Sequence, residues 1–363
     1  MIRFGSFVCL SLVLCIGSTA WSQSSPADPV PPTGATPSKT GATLASSSSQ
    51  STPPAATASL TAVDLMAMLR LIDPYKPDED LDATVKIYGS TAMDAMAHMW
   101  ADGFKLFHKD VKVEVSAAGS GDAFDQLRKN PSALVMLSRP VTAEELAKLK
   151  SDTIKEPAAF VVGREALGVY VHESNPAKYI SGEQLRLIFT TQGKEEDLKW
   201  KLLGVTGPAG ERPIHLVARS ESSGTQQFLR DFVFGGLQMR TASGSHASNA
   251  DALGALTKDH DAITICGLRA SGVSVKVLPL VAGGTIINSD DAAVLSGRYP
   301  LTRNLTLVVD LAQNDPAAKA AQELVHFALC QSGQVAAIRA GFYPAELHVL
   351  RDGLARLHHD PMH

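Results

Sequence analysis

The feature that most constrains the fold is a strand–turn–helix unit that occurs twice near the start of the globular region. Residues 84–88 predict a buried strand, and an amphipathic stretch typical of a helix follows at residues 91–107. An alternating strand pattern at residues 111–116 and a second helix at residues 122–128 repeat this pair, and a turn rich in glycine and serine separates strand from helix each time. Apolar runs that alternate with amphipathic stretches are typical of α/β proteins. The sequence therefore predicts an α/β fold.

The alternation continues along the rest of the chain. Strands are predicted at residues 133–137, 166–172, 214–218, 262–267, 275–280 and 305–311, and helices at residues 181–189, 224–234, 250–258 and 316–331. In open α/β sheets the ligand crevice lies beyond the carboxyl ends of the strands. We therefore expect the glycine and serine turns that follow several strands to face such a crevice.

The N-terminal 60 residues are expected to lie outside the folded region. Residues 1–22 combine a basic residue, an apolar run and a small-residue cleavage pattern, which predicts a signal peptide. Residues 23–60 are mostly Ser, Thr, Pro and Ala, which is typical of a disordered linker. The chain is thus predicted to be exported to the periplasm or cell surface. A lipoprotein is less favoured, because Leu14 rather than a small residue precedes Cys15.

The remaining residues are numerous enough for two lobes with separate cores. We place the first lobe at residues 61–165 together with 281–363, and the second lobe at residues 166–280, with the chain crossings as a hinge. The net charge of -4 and the scattered basic residues argue against nucleic acid or an anionic membrane as partner. Beyond the signal, Cys266 and Cys330 could form one disulfide or remain two buried thiols, and spacing alone leaves both open.

Three Ser/Thr/Gly turns suggest a binding site. They are GSTAM at residues 89–93, AGSGDAF at 118–124 and ARSESSGTQQF at 218–228, and each precedes a predicted helix. Helix N-termini present unpaired N–H groups and a partial positive charge, so three of them at one cleft would hold a small oxyanion. Each serine has a structural alternative as a simple helix cap. The repetition favours the binding site.

The order and spacing of several sequence blocks resemble one known family. The blocks GSTAM, VKVEVSAAGSGDAF, MLSRPVTAEEL, ALGVYVHESNP, SGEQLRLIFT, LVARSESSGTQQFL, AITICGL and SGRYPLTRNLTLVV are similar to those of the phosphate-specific periplasmic binding proteins of ABC importers, within the type II solute-binding superfamily. The resemblance covers most of residues 84–345. It implies a two-lobed type II periplasmic-binding-protein fold with a hinge, a monomer without cofactor, and an ABC transporter permease as partner.

The resemblance also implies the ligand and its contacts. Inorganic phosphate, or a similar small oxyanion, would lie between the lobes. By position, the ligand-binding residues would be Ser90, Thr91, Ser120, Ser138, Arg219, Ser223, Gly224 and Thr225. Arg219 would supply the full positive charge and a planar fork for two oxygens. Its structural alternative is a surface arginine paired with Glu221.

One segment departs from the family. Well-studied members carry an acidic residue after the third strand that accepts the proton of phosphate, whereas this chain has Ser138-Arg139-Pro140 there. Arg139 could face the cleft or brace its lobe, and we favour bracing. Asp122 could replace the acceptor, although a carboxylate in a first helical turn more often stabilises the helix.

Catalysis is not expected. No G-x-S-x-G motif surrounds Ser222 or Ser223, and no phosphate-binding P-loop motif occurs. The chain could instead be a ligand-free scaffold or adhesion protein on the same fold, or, less favoured, a phosphate-ester hydrolase. The C-terminal histidines are interpreted as a polar tail rather than a metal site: His348, His358, His359 and His363.

Overall fold

One long strand links the two halves of the protein. The computed structural model describes residues 67–357 except Asp78 and Ser271, so the predicted signal peptide and linker lie outside the described residues. The strands are β1 (Thr84–Gly89), β2 (Lys112–Ser116), β3 (Leu134–Leu137), β4 (Pro157–His172), β5 (Ile180–Ser181), β6 (His215–Arg219), β7 (Gly244–His246), β8 (Ala262–Gly267), β9 (Val275–Leu278), β10 (Leu280–Ala282), β11 (Thr285–Ile287) and β12 (Thr302–Asp310).

Helices cover the sheet and fill the connections between strands. They are α1 (Asp94–Lys105), α2 (Ala123–Lys129), α3 (Ala143–Leu149), α4 (Gly182–Phe189), α5 (Gly224–Phe228), α6 (Asn249–Leu256), α7 (Asp291–Leu295), α8 (Pro316–Leu329), α9 (Gln331–Arg339) and α10 (Leu347–Leu357). A 3₁₀ turn, Thr91–Met93, precedes α1, and a π-helical turn, Leu229–Val233, continues α5. None of the helices in the described part of the chain combines the length and hydrophobicity that crossing a bilayer requires.

The main sheet has the strand order β2-β1-β3-β12-β4-β8-β6-β7, and β9 also pairs with β4. Strand β1 runs parallel to β2 and β3, and β6 runs parallel to β7 and β8. The N-terminal part of β4 pairs with β12, and its C-terminal part pairs with β8 and β9. Strand β4 therefore belongs to both halves of the sheet. A smaller sheet has the order β11-β10-β5.

Two large hydrophobic cores lie on either side of the crossing in β4. The first core contains Val162 of β4 and the buried stripe of α1, including Trp100 and Phe104. The second core begins at Ala166 and includes Trp200. Full burial of a side chain such as Phe104 contributes about 1.5–3 kcal/mol, so each core stabilises its own half of the sheet.

The structure confirms the predicted α/β class and corrects several details. Strand β4 begins at Pro157, well before the predicted residue 166, and the helix predicted at residues 316–331 ends at Leu329, where α9 follows after Cys330. The expectation of a tail at His348 is wrong, because this residue lies in α10. His358, His359 and His363 lie outside the described residues. Cys266 and Cys330 are both buried free thiols.

Candidate anion-binding site

The predicted site turns follow the ends of strands. Ser90 comes directly after β1, Ser120 follows β2, and Ser138 comes directly after β3. Because β1 is parallel to both neighbours, these three carboxyl ends share one edge of the sheet. Ser223 follows β6, in the other half, and caps α5 by accepting a hydrogen bond from the Gln226 N–H at 3.1 Å.

Hydroxyl groups from three of these loops meet at Gly224. The Ser90 hydroxyl donates to the Ser138 hydroxyl at 2.8 Å and accepts from the Ala92 N–H at 3.2 Å. A Cβ on Gly224 would lie 2.0 Å from the Ser138 Oγ and 2.8 Å from the Ser120 Oγ. The backbone of α5 therefore packs directly against serines that belong to the other half of the protein, and only glycine fits there.

This cluster is closed to water. Ser90 and Ser138 are 0 % exposed, and Ser120, Ser223 and Thr225 are each 1 % exposed. Thr91 lies in the turn that follows Ser90, and Cα atoms of that turn come within 8 Å of those of α5. The structure thus brings together the predicted residues from all three turns.

Several polar groups in this cluster are buried without a partner. Three of the six buried side-chain polar atoms that lack a hydrogen bond among the described residues are the Thr91 Oγ1, the Ser120 Oγ and the Arg303 Nη1. A buried polar group without a partner costs about 1–3 kcal/mol. An oxyanion with lone pairs in many directions could accept hydrogen bonds from all three groups.

Arg219 is buried but anchored to a neighbouring loop. Its Nε donates to the His246 carbonyl at 3.3 Å, its Nη2 donates to the Ala247 carbonyl at 2.6 Å, and its Nη1 donates to the Asn249 Oδ1. Burial lowers the pKa of this guanidinium from its ordinary value. With 3 % exposure, Arg219 is not the surface arginine of the alternative interpretation. Its predicted contact with the anion stays a prediction.

Arg303 and Glu165 were missed by the sequence analysis. The Nε and Nη2 of Arg303 donate to the Glu165 Oε2 at 3.0 and 2.6 Å, and Nη2 also donates to the Thr225 Oγ1 at 2.8 Å. The guanidinium lies 5.6 Å from the centre of the Phe228 ring. Both residues could have been identified in the sequence as charged residues within apolar strands, since Glu165 interrupts β4 and Arg303 lies near the start of β12.

Arg139 braces its own half of the protein, as we favoured. It forms an ion pair with Glu145 at 2.8 Å and donates to the Pro140 carbonyl at 3.0 Å. Although burial opposes the effect, hydrogen bonds from Arg139 and Thr142 hold the pKa of Glu145 below its ordinary value. Asp122 is exposed at the start of α2 and makes no side-chain cap.

The donor set suits an anion rather than a metal. The cluster contains hydroxyl donors, helix starts and a guanidinium. The described part of the chain contains no group of three or more His, Cys, Asp or Glu able to hold a metal ion. The arrangement can bind a compact oxyanion by hydrogen bonds.

Comparisons with known proteins show which family the chain belongs to. The family model described as "PBP superfamily domain" matches residues 33–332. Phosphate-binding protein PstS of Pseudomonas aeruginosa is 26% identical over 296 residues, covering 79% of this chain and 92% of that protein. Protein SphX of Synechococcus elongatus is 25% identical over 275 residues, covering 72% of this chain and 77% of that protein.

Solved structures show a similar fold. A putative phosphate ABC transporter substrate-binding protein with bound phosphate from Clostridium perfringens gives a TM-score of 0.60 at 20% identity. An ABC-type phosphate transport receptor from Vibrio cholerae gives a TM-score of 0.59, also at 20% identity. Each alignment covers 72% of this chain and 100% of the other chain.

Proposed function

Since the chain belongs to the PBP superfamily, we propose that it is an extracytoplasmic solute-binding protein that captures inorganic phosphate for an ABC importer. The names of its relatives support phosphate as the ligand, and several of the similar solved structures carry the same function in their descriptions. The protein would act as a monomer in the periplasm or at the cell surface, with a permease as its partner.

The observation that supports this proposal is a set of buried, unpartnered donors in residues that pack against or bond to α5. Thr91, Ser120 and Arg303 each hold one such atom, and they reach the cluster from different segments of the chain. Bonds from a charged donor to an anion are roughly twice as strong as neutral ones. Together with the hydroxyl donors, one such cation is compatible with a micromolar dissociation constant, which corresponds to a binding free energy near -8.2 kcal/mol.

Ligand binding is proposed to favour the closed arrangement of the lobes. The site residues come from turns around both cores, so a bound anion would connect the two halves. We propose the sequence-inferred first crossing near residue 165, but place the return crossing at β12 rather than at residue 281, because Leu301 still packs in the second core, whereas Leu305 packs in the first. The crossing strands β4 and β12 would then form the hinge.

Binding without turnover is proposed. The relatives named above are binding proteins, and the donors in the cluster are those of a ligand cage. A ligand-free scaffold remains the alternative to be tested, because a fold can be kept when its ligand is lost.

Isothermal titration of the full exported chain with phosphate at pH 8 tests the proposal, with sulfate as the comparison. We expect micromolar phosphate binding and much weaker sulfate binding. Equal affinities for the two anions would contradict the assignment of phosphate. Thermal unfolding gives a second measure, because a bound ligand raises the apparent stability by RT ln(1 + [L]/Kd). A melting temperature that does not respond to millimolar phosphate would favour the scaffold.

A further inference from the structure

We propose that Arg303 contacts the bound anion through its Nη1, and that Glu165 is the positioning residue for this guanidinium. The inference rests on the proposed function and deepens it by naming the cation that meets the ligand. Neither residue belongs to the set that the sequence comparison implied, in which Arg219 supplies the charge.

The two edges of the Arg303 guanidinium have different partners. Its Nε and Nη2 both donate to the Glu165 Oε2, so the carboxylate occupies the edge formed by these two nitrogens. The second Nη2 hydrogen is directed at the Thr225 Oγ1, which lies on the other edge, between Nη2 and Nη1. This second edge therefore faces the cluster of hydroxyl groups. With the Nη2 hydrogen donated to Thr225, the Nη1 hydrogen of this edge is the one left for an anion oxygen.

The Nη1 on that edge needs an acceptor. The Arg303 side chain is 0 % exposed, and its Nη1 has no hydrogen-bond partner among the described residues. A charged donor left unsatisfied in a protein interior is more costly than a neutral one. The Ser120 and Thr91 hydroxyls, in turns that also pack against α5, likewise lack partners, and one anion with several oxygens could accept from more than one of these donors.

Arg219 differs in this respect. Each of its three nitrogens already donates a hydrogen bond to the segment between His246 and Asn249. The surroundings of Arg219 also affect its pKa. Burial has the largest effect and lowers the pKa, Glu165 raises it, and Arg303 lowers it. Arg219, Arg303, Glu165 and Asp251 thus influence one another electrostatically. Of the two guanidinium groups, that of Arg303 is the one with a nitrogen that lacks any hydrogen-bond partner among the described residues.

Two variants test the role of Arg303. Arg303→Lys keeps the charge and can still pair with Glu165, but it lacks the fork. The double variant Arg303→Gln/Glu165→Gln replaces the ion pair with two neutral amides, so no charge is left buried alone. We expect both proteins to fold, and their phosphate dissociation constants to rise by about tenfold or more.

Arg164→Lys is the matched control. Arg164 is a buried arginine on the adjacent position of β4, and its Nε donates to the Pro344 carbonyl rather than to the cluster. We expect its phosphate affinity to stay within about twofold of the wild type. Circular dichroism and ligand-free melting temperatures would report folding, so that a loss of affinity is not mistaken for unfolding.

The outcomes separate this inference from the proposed function. Weaker phosphate binding in both Arg303 variants, with the control unchanged, supports the inference. Wild-type affinity in either folded Arg303 variant overturns it while leaving phosphate capture intact. A crystal structure of the wild type with phosphate tests the contact between Nη1 and the anion independently of any variant. A phosphate oxygen within about 3.2 Å of Nη1 is expected, and a clearly longer separation overturns the inference. If the wild type binds no phosphate at all, the proposed function itself fails.

Discussion

Gly119 packs so closely against Ser222 that a Cβ on the glycine would lie 2.6 Å from the Ser222 carbonyl oxygen. Gly119 precedes α2, and Ser222 precedes α5, so this contact joins loops that follow β2 and β6. The same glycine has a φ of +131°, which side chains rarely adopt. The closed arrangement of the site therefore depends on the absence of a side chain at this position.

Gly119→Ala is expected to hold the two loops apart and to weaken phosphate binding at least about tenfold. Isothermal titration would measure the effect. Gly235→Ala is the matched control, because Gly235 also has a positive φ, of +61°, but nothing lies within 4 Å of a Cβ there. The control should lose some stability from backbone strain and retain its affinity. Equal affinity losses in the two variants would show that strain, rather than the contact, is responsible.

Gly224→Ala is expected to weaken phosphate binding more strongly, because the new methyl group would overlap the Ser138 hydroxyl. Small-angle X-ray scattering with saturating phosphate should show a larger radius of gyration than the wild type. Adding Ser138→Ala removes the shortest contact and should restore part of the compaction, although the Ser120 hydroxyl remains 2.8 Å away. A compact Gly224→Ala protein with wild-type affinity would contradict this account.

Arg219→Ala is expected to reduce phosphate affinity at least about tenfold and to lower the melting temperature of the ligand-free protein. The second effect follows because its guanidinium holds the carbonyls of His246 and Ala247. Arg219→Lys cannot replace all three donors and should show both effects to a smaller degree. Titration and thermal unfolding would be measured on the same samples. Unchanged affinity in Arg219→Ala would contradict the predicted role of Arg219 in binding.

Arg139→Ala should change stability without changing phosphate affinity. Its partly buried ion pair with Glu145 is expected to contribute about 0.5–1 kcal/mol, which urea unfolding can measure. Because the side chain braces the segment before α3, the anion site keeps its donors. A large loss of phosphate affinity would instead place Arg139 in the cleft.

The stability of the first core should fall as the pH rises. Although burial opposes the effect, hydrogen bonds to Cys330 and Glu323 raise the pKa of His326 from 6.5 to about 10. A group with a raised folded-state pKa contributes stability that is fully present below about pH 6.5 and is lost as the pH rises through about 10. Melting temperatures between pH 6 and pH 10 should therefore decline in the wild type. His326→Gln should flatten that decline, and an identical slope in the variant would refute the assignment.

Much of the fold follows from local sequence patterns. The turn before Thr91 and the capped start of α5 at Ser223 are encoded by a few neighbouring residues, so both were predicted close to their observed positions. The family membership, predicted from the order of several blocks, is confirmed. The break between α8 and α9 at Cys330 was not predicted, because the apolar periodicity of the sequence continues through it.

The missed parts of the candidate site depend on contacts between distant segments. Glu165 and Arg303 meet only because β4 and β12 pair in an antiparallel register, which places them opposite one another. A single charged residue in an apolar strand gives no information about its partner. The anchoring of Arg219 likewise depends on the path of the loop after β7, since none of its three acceptors is a close neighbour in sequence.

Strand β4 also limits how this protein can exchange parts with its relatives. Its 16 residues supply backbone partners to β12 at one end and to β8 and β9 at the other. A recombinant that takes one half of the molecule from another protein must therefore inherit this strand whole, with matching pairing on both sides. A junction inside β4 would disrupt the pairing of both halves at once.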